Sequence, residues 1–311
     1  MGRTATPLRN LRKWDEYVTE LASAVAQNAA PSTELLLLIN SYPLRERRAE
    51  FLGRLMKRTD SEWETYGSAG LTVHLALLYL HCRRADCAAL FSECGDRLPG
   101  AAAEFFRRAL QKREGLGTFN SGRAVGLSKT GTTSLHDFCR GHGLLSAHFL
   151  NPVLGTLLTA EDAEIFDVVS DTTIAALARE KGVPEGRKII LTKRDQAAWA
   201  RSFLAHFQKV LNAPDATFEG MKALLETRPL LPFGDKWRDI HHELYFRFRT
   251  LEEAYGWHEQ WAGGLSTASR ALLALPVEMP DDEKAERLGR FLGLATGDVA
   301  YPRSNVRLLL Q

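Results

Sequence analysis

Residues Gly126 to Ser134 read GLSKTGTTS, a run of glycines and hydroxyl side chains with one lysine in its middle. Gly126 and Gly131 have the spacing of the glycines in the phosphate loop G-x-x-x-x-G-K-[ST], but Thr132 stands where that loop carries its lysine, and Lys129 lies inside the loop. The glycines let the backbone turn tightly and approach an anion. The helix that follows offers unpaired amides and the positive end of its dipole, and Thr132, Thr133 and Ser134 add hydroxyl donors. A cation moved into the loop faces the outer side of the anion, where it stabilises charge on an atom bridging the anion and a transferred group. No acidic residue after a strand is well placed to hold magnesium: Asp195 stands beside Arg194 and suits the cap of the next helix. Taken alone, the run is explained as well by a strand–turn–helix whose Gly, Ser and Thr merely cap the helix.

A second segment, KIILTKRDQAAWARSFLAHF, places Arg194 directly after a buried strand, so its guanidinium emerges at the carboxyl edge of a sheet. Ser202 follows eight residues later, about two turns into the next helix. Arg194 suits a bidentate phosphate contact and Ser202 can donate one more hydrogen bond. The plainer alternative pairs Arg194 with a carboxylate such as Asp195 and leaves Ser202 in solvent. Trp199, one turn before Ser202, reads as core. Trp257 and Trp261, in GWHEQWAGG, suit the walls of an acceptor pocket and packing between layers equally well.

The elements that must position these residues fall into two groups. The first ~115 residues read as helices: LRNLRKWDEYVTELASAVAQN (8–28) repeats apolar residues every three or four positions, TELLLLINSY and LRERRAEFLGRLMKR follow, GLTVHLALLYLHC (70–82) reads as a buried helix, and Pro99 opens another over 99–114. GLGTFNSG (115–122) reads as a linker. Beyond it, short apolar runs alternate with amphipathic ones. RAVGL (123–127), LLSAHFL (144–150), KIILT (188–192) and ALLAL (271–275) read as strands. Segments 132–143, 172–182, 195–211 and 281–294 read as helices, and KWRDIHHELYFRFRTLEEAY (236–255) as one long helix with a solvated face. The expectation is an α/β fold, a parallel sheet flanked by helices over 119–311, with an all-helical domain over 1–118. In such sheets ligands bind beyond the carboxyl ends of the strands, which points to the loops after RAVGL and KIILT.

Composition excludes other classes. The 311 residues are 45% hydrophobic and 25% charged, with a net charge of +2 that gives no global attraction to nucleic acid. No run reaches the roughly 18 apolar residues of a membrane span, and the first residues lack the apolar core of a secretory signal, so a cytoplasmic protein is expected. Cys82, Cys87 and Cys94 fall in HCRRADCAALFSEC, read as one helix; with Cys139 they are expected to be thiols rather than metal ligands.

Together the two phosphate segments resemble the sulfotransferase superfamily that uses 3′-phosphoadenosine 5′-phosphosulfate (PAPS). GLSKTGTTS is similar to its 5′-phosphosulfate loop, usually P-K-T-G-T-T or P-K-S-G-T-T, and R-D-Q-x5-S to its 3′-phosphate motif R-D-P-x5-S. DVVSDTTIAALAREKGVPEGRKIILTKRD is similar to bacterial-type members, and AYPRSNVR (300–307) faintly to an F/Y-P-x-x-N close. The resemblance covers about residues 122–307 and implies a P-loop-like fold. It implies that Ser128, Lys129, Thr130, Gly131, Thr132, Thr133 and Ser134 cradle the 5′-phosphosulfate, with Lys129 on the bridging oxygen, and that Arg194 and Ser202 hold the 3′-phosphate. Ser128 and Gln196 replace family prolines. The G-x-x-G-x-x-K close of the animal cytosolic enzymes is absent, and Arg303 is the stand-in.

Sulfuryl transfer also needs a base. Related heparan-type enzymes have E-x-H-F with the glutamate as base; here Ser146 takes that place and His148 remains, followed by Asp171 and His142 as nominees. The implied activity is metal-independent transfer from PAPS to a hydroxyl of a small molecule or glycan. The sequence assigns the helical region no role of its own; it is a candidate surface for a second copy or a protein partner. The competing readings are a non-catalytic nucleotide-binding or interaction protein derived from a sulfotransferase, and a P-loop kinase that would need magnesium and ATP.

Overall fold

The structure, a computed structural model, describes residues 11–28, 30, 32, 35–37, 65–113, 122–184, 186–227, 235–268, 271–294 and 300–302. LRERRAEFLGRLMKR, most of the expected linker and Arg303 lie outside the described residues.

The described helices of the amino-terminal region are α1 (Leu11–Ala26), α2 (Ser68–Leu80), α3 (Arg84–Cys94) and α4 (Gly100–Arg113). Helix α1 buries Val18, Leu21 and Val25, the three-and-four spacing of one face. Helix α2 is buried continuously from Gly70 to Tyr79, as a helix apolar all round must be. HCRRADCAALFSEC is not one helix. The chain turns at His81–Arg83 with Cys82 in left-handed backbone, leaving Cys82 exposed while Cys87 and Cys94 are buried.

Among the described residues the sheet has seven strands: β1 (Gly122–Ala124), β2 (Ser146–His148), β3 (Leu150–Asn151), β4 (Thr156–Leu157), β5 (Val168–Ser170), β6 (Lys188–Lys193) and β7 (Leu272–Pro276). Their order is β4-β3-β2-β5-β1-β6-β7. Strands β2, β5, β1, β6 and β7 run parallel, and the short β3 and β4 add an antiparallel edge. The connecting helices are α5 (Thr132–Gly141), α6 (Asp162–Ile165), α7 (Thr172–Lys181), α8 (Gln196–Val210), α9 (Phe218–Thr227), α10 (Asp235–His241), α11 (Leu251–Ala268) and α12 (Asp281–Leu292). The fold is the expected α/β sheet flanked by helices. No described helix is long and apolar enough to cross a membrane.

Successive strand residues serve opposite faces, as the two-residue period requires. Ala124, Val168 and Ile190 pack with Leu135 and Phe138 of α5 and Leu288 of α12. Val125, Val169, Ile189 and Leu191 join a cluster that runs on through Phe105, Phe106, Leu75 and Val18 of the amino-terminal helices. A third, aromatic cluster gathers Leu127, Trp199, Phe203, Phe207, Trp237 and Tyr245.

Segment 236–255 is not one continuous helix. Helix α10 passes into a π-helical turn, His242–Phe246, and the chain bends before α11. The wider turn lets Leu244, Tyr245 and Phe246, three consecutive residues, all be buried, which the α-helical period does not allow on a one-sided helix.

Candidate functional site

The loop between β1 and α5 lies against the end of β6. A Cβ on Gly126 would stand 1.8 Å from Thr192 Oγ1 and 2.7 Å from the Thr192 carbonyl oxygen, so only glycine fits there. Thr130 Oγ1 donates to the Leu127 carbonyl at 2.5 Å and pairs with Thr192 Oγ1 at 2.7 Å. Gly131, with φ of 89°, is the N-cap of α5, so Thr132, Thr133 and Ser134 form its first turn. Lys129 has φ of 68°, left-handed for a residue with a side chain. Burial holds its ammonium below the usual lysine range; Asp171 offsets part of that and Arg194 adds to it.

Arg194 meets this loop. Its Nη1 donates to the Lys129 carbonyl at 3.2 Å, and its own carbonyl accepts from Tyr255 Oη at 2.6 Å. The Arg194 Nε is buried with no hydrogen-bond partner among the described residues. Asp195 does not pair with it but caps α8, accepting from the Ala198 amide at 2.9 Å. Ser202 is half-buried two turns into α8.

Contrary to the expectation that no acidic residue follows a strand beside the loop, Asp171 directly follows β5; His148 closes β2, and the parallel pairing brings the two together, with His148 Nε2 2.7 Å from Asp171 Oδ2. Thr132 Oγ1 lies 3.0 Å from the same nitrogen and Thr133 Oγ1 3.4 Å. With a proton on Nε2 the ring donates to Asp171, and in that tautomer Nδ1 is the nitrogen left to accept. Burial alone would push the Asp171 carboxyl up. The charge and hydrogen bond of His148, with the amide of Thr172, outweigh it and hold the group well below the usual carboxylate range. Asp171 has φ of 88° and caps α7 through the Thr172 amide.

His142 does not join the site. It follows the carboxyl end of α5, ten residues or about 15 Å from the loop, with its ring 4.5 Å from that of Phe138. Trp257 and Trp261 pack between layers: the Arg179 guanidinium lies 3.5 Å over the Trp257 ring, Arg247 lies 4.2 Å over it, and Trp261 rests on the main core.

Several site residues carry no local signature in the sequence. Tyr245 Oη contacts both the amide and the hydroxyl of Ser128 at 2.9 Å, and Trp199 is buried as expected but also donates from Nε1 to the Ser128 carbonyl at 2.9 Å. His136 pairs through Nδ1 with Ser146 Oγ at 2.9 Å, its ring 6.0 Å from that of His148; burial, then the His148 charge, lowers it to about 4. His206, one turn beyond Ser202 on α8, is lowered to about 4 by burial and then by the Lys129 charge. The regular i, i+4 spacing of Ser202 and His206 was the only available hint.

A family model described as a sulfotransferase domain matches residues 162–308. That match, a little under half of the chain, supports a member of the sulfotransferase superfamily. Sulfotransferase domains as a class move sulfuryl groups, and the match contains Asp171, Arg194 and Ser202, while Lys129 and His148 precede it. No curated protein matches the chain.

Proposed function

We propose that the protein transfers the sulfuryl group of PAPS to a hydroxyl of a small molecule or glycan. The observation that carries this reading is the 3.2 Å contact of Arg194 with the Lys129 carbonyl, which joins the two phosphate segments at one sheet edge. The buried, unpartnered Arg194 Nε supports a phosphate there, since such an atom is costly without an acceptor. Arg194 and Ser202 hold the 3′-phosphate. The backbone amides from Lys129 to Ser134 hold the 5′ end and Thr132 and Thr133 aim His148, whereas the amide and hydroxyl of Ser128 are already bonded to Tyr245.

In the reaction the acceptor oxygen forms a bond to sulfur as the bond from sulfur to the 5′-phosphate oxygen breaks. His148 Nδ1 takes the acceptor proton, and Asp171 steadies the resulting imidazolium. Lys129 faces the leaving oxygen and supplies the cation a metal supplies elsewhere, so transfer should be unaffected by EDTA.

A thermal-shift comparison tests the donor. The desulfo nucleotide 3′-phosphoadenosine 5′-phosphate (PAP) should stabilise the protein and ATP with magnesium should not, and Lys129→Ala and Arg194→Ala should each abolish the shift. Stabilisation by ATP alone points to a kinase. Transfer of radiolabelled sulfate to a hydroxyl library tests the base: His148→Ala should lower turnover about 10²-fold or more with PAP affinity kept. Binding of PAP without transfer to any hydroxyl would mark a non-catalytic protein.

A further inference from the structure

We propose that Tyr245 and Trp199 clamp Ser128 and thereby preset the backbone of Lys129, which makes Tyr245 a positioning residue for the 5′ end of the donor. The inference rests on the donor reading above but assigns a role to Tyr245, which lies outside both phosphate segments and is not the base.

Every polar atom of Ser128 is engaged by these two side chains. Its amide donates to Tyr245 Oη at 2.9 Å, its hydroxyl shares a 2.9 Å hydrogen bond with the same oxygen, and its carbonyl accepts from Trp199 Nε1 at 2.9 Å. Ser128 is 8% exposed and both rings 0%, so water cannot replace a lost partner. Burial pushes the Tyr245 phenol up, so it stays protonated and can donate to the serine hydroxyl while accepting from the amide.

The neighbour on the other side is anchored too, since Thr130 is tied to the Leu127 carbonyl and to Thr192. Lys129 is therefore the single residue between two fixed points, and it has the left-handed backbone. A non-glycine residue persists in that conformation only where its surroundings over-determine it. Tyr245 reaches the loop from 117 residues away because the π-helical turn sends it inward between Leu244 and Phe246, with its ring 4.7 Å from Phe203 and 6.3 Å from Trp199. In the loops this one resembles, proline stands where Ser128 does. Proline has a fixed φ and no amide proton, so it needs no such clamp. Here a hydrogen-bonded constraint takes the place of a covalent one.

The test uses the full-length protein, two probes and calorimetric titration. PAP engages both ends of the site, whereas adenosine 3′-monophosphate lacks the 5′ group. Tyr245→Phe keeps the ring packing and removes only the hydroxyl, so PAP should bind about tenfold more weakly. Binding of adenosine 3′-monophosphate should be unchanged. Adding Tyr245→Phe to Ser128→Pro should have no effect on PAP binding, because the groups it serves are gone. If Ser128→Pro fails to fold, the contrast between the two nucleotides in Tyr245→Phe decides alone. Unchanged PAP affinity in Tyr245→Phe, or an equal loss for both nucleotides, overturns the clamp while the donor assignment stands. A wild-type protein that binds neither nucleotide overturns the donor assignment and the clamp with it.

Discussion

Lys129 holds its position at a conformational cost: its φ of 68° costs an ordinary residue about 1 kcal/mol or more. Glycine accepts that backbone freely, so Lys129→Gly should melt at or above the wild-type temperature while losing the response to PAP, a trade of stability for function that a thermal scan with and without nucleotide measures. Melting well below wild type would show that the lysine side chain supports the fold. Asp171 shows the opposite sign. It faces His148, is within the field of Lys129, His206 and His241, and titrates below its unfolded value. Its contribution to stability is therefore complete above about pH 4 and is lost as pH falls toward the depressed native value. Urea unfolding at fixed pH should show wild type more stable than Asp171→Asn at pH 6, with the gap closing steadily below pH 4. A gap that stays constant through acid would mean the carboxylate gains nothing from its partners.

At the level of elements, the junction of β1, its loop and β6 leaves no room for change. The Cβ of Gly126→Ala would meet the backbone oxygen of Thr192 as well as its hydroxyl, and β6 is held on both sides by β1 and β7. A loss of about 2–3 kcal/mol in denaturant unfolding is expected, because a central strand cannot retreat. The loop and β6 were legible in the sequence for the same reason they are rigid: glycine spacing and an unbroken apolar run, KIILT, are strong local signals. Strand β5 was not, since its three residues, Val168–Ser170, are too few for any period to show. Asp171 and His148 are 23 residues apart in the sequence, and their 2.7 Å contact follows only once β2 and β5 pair. The π-helical turn was missed because segment 236–255 carries an acceptable helical pattern; the fault in that pattern is the buried trio Leu244–Phe246, which only tertiary packing reveals. Nothing in that pattern sets Tyr245 apart from its neighbours, although it reaches Ser128 in the loop after β1.

Across the whole molecule, the amino-terminal helices and the sheet share one continuous apolar cluster, and polar ties cross the same boundary. Tyr79 Oη donates to Glu161 at 2.7 Å, and Arg108 on α4 bonds both carboxylate oxygens of Asp167, at 2.8 and 3.1 Å. Asp167 is a junction: its side chain also accepts the Leu145 amide at 2.8 Å and its carbonyl accepts the Gly122 amide at 2.6 Å, so one residue steadies the starts of β1, β2 and β5. Arg108→Ala strips a largely buried carboxylate of its ion partner at that point and should cost about 3 kcal/mol. The loss falls at the amino ends of the strands, a strand length of about 10 Å from Asp171 at the carboxyl end, so PAP affinity should be unchanged at temperatures where the variant is folded. Unfolding should also stay a single transition. Circular dichroism reads helices throughout the chain, whereas Trp199, Trp237, Trp257 and Trp261, four of the six tryptophans, report by fluorescence on the sheet-bearing part. Coincident curves from the two probes, in wild type and Arg108→Ala alike, are expected from a shared core. A helical signal lost before the fluorescence changes would mean that the amino-terminal helices fold as a unit of their own.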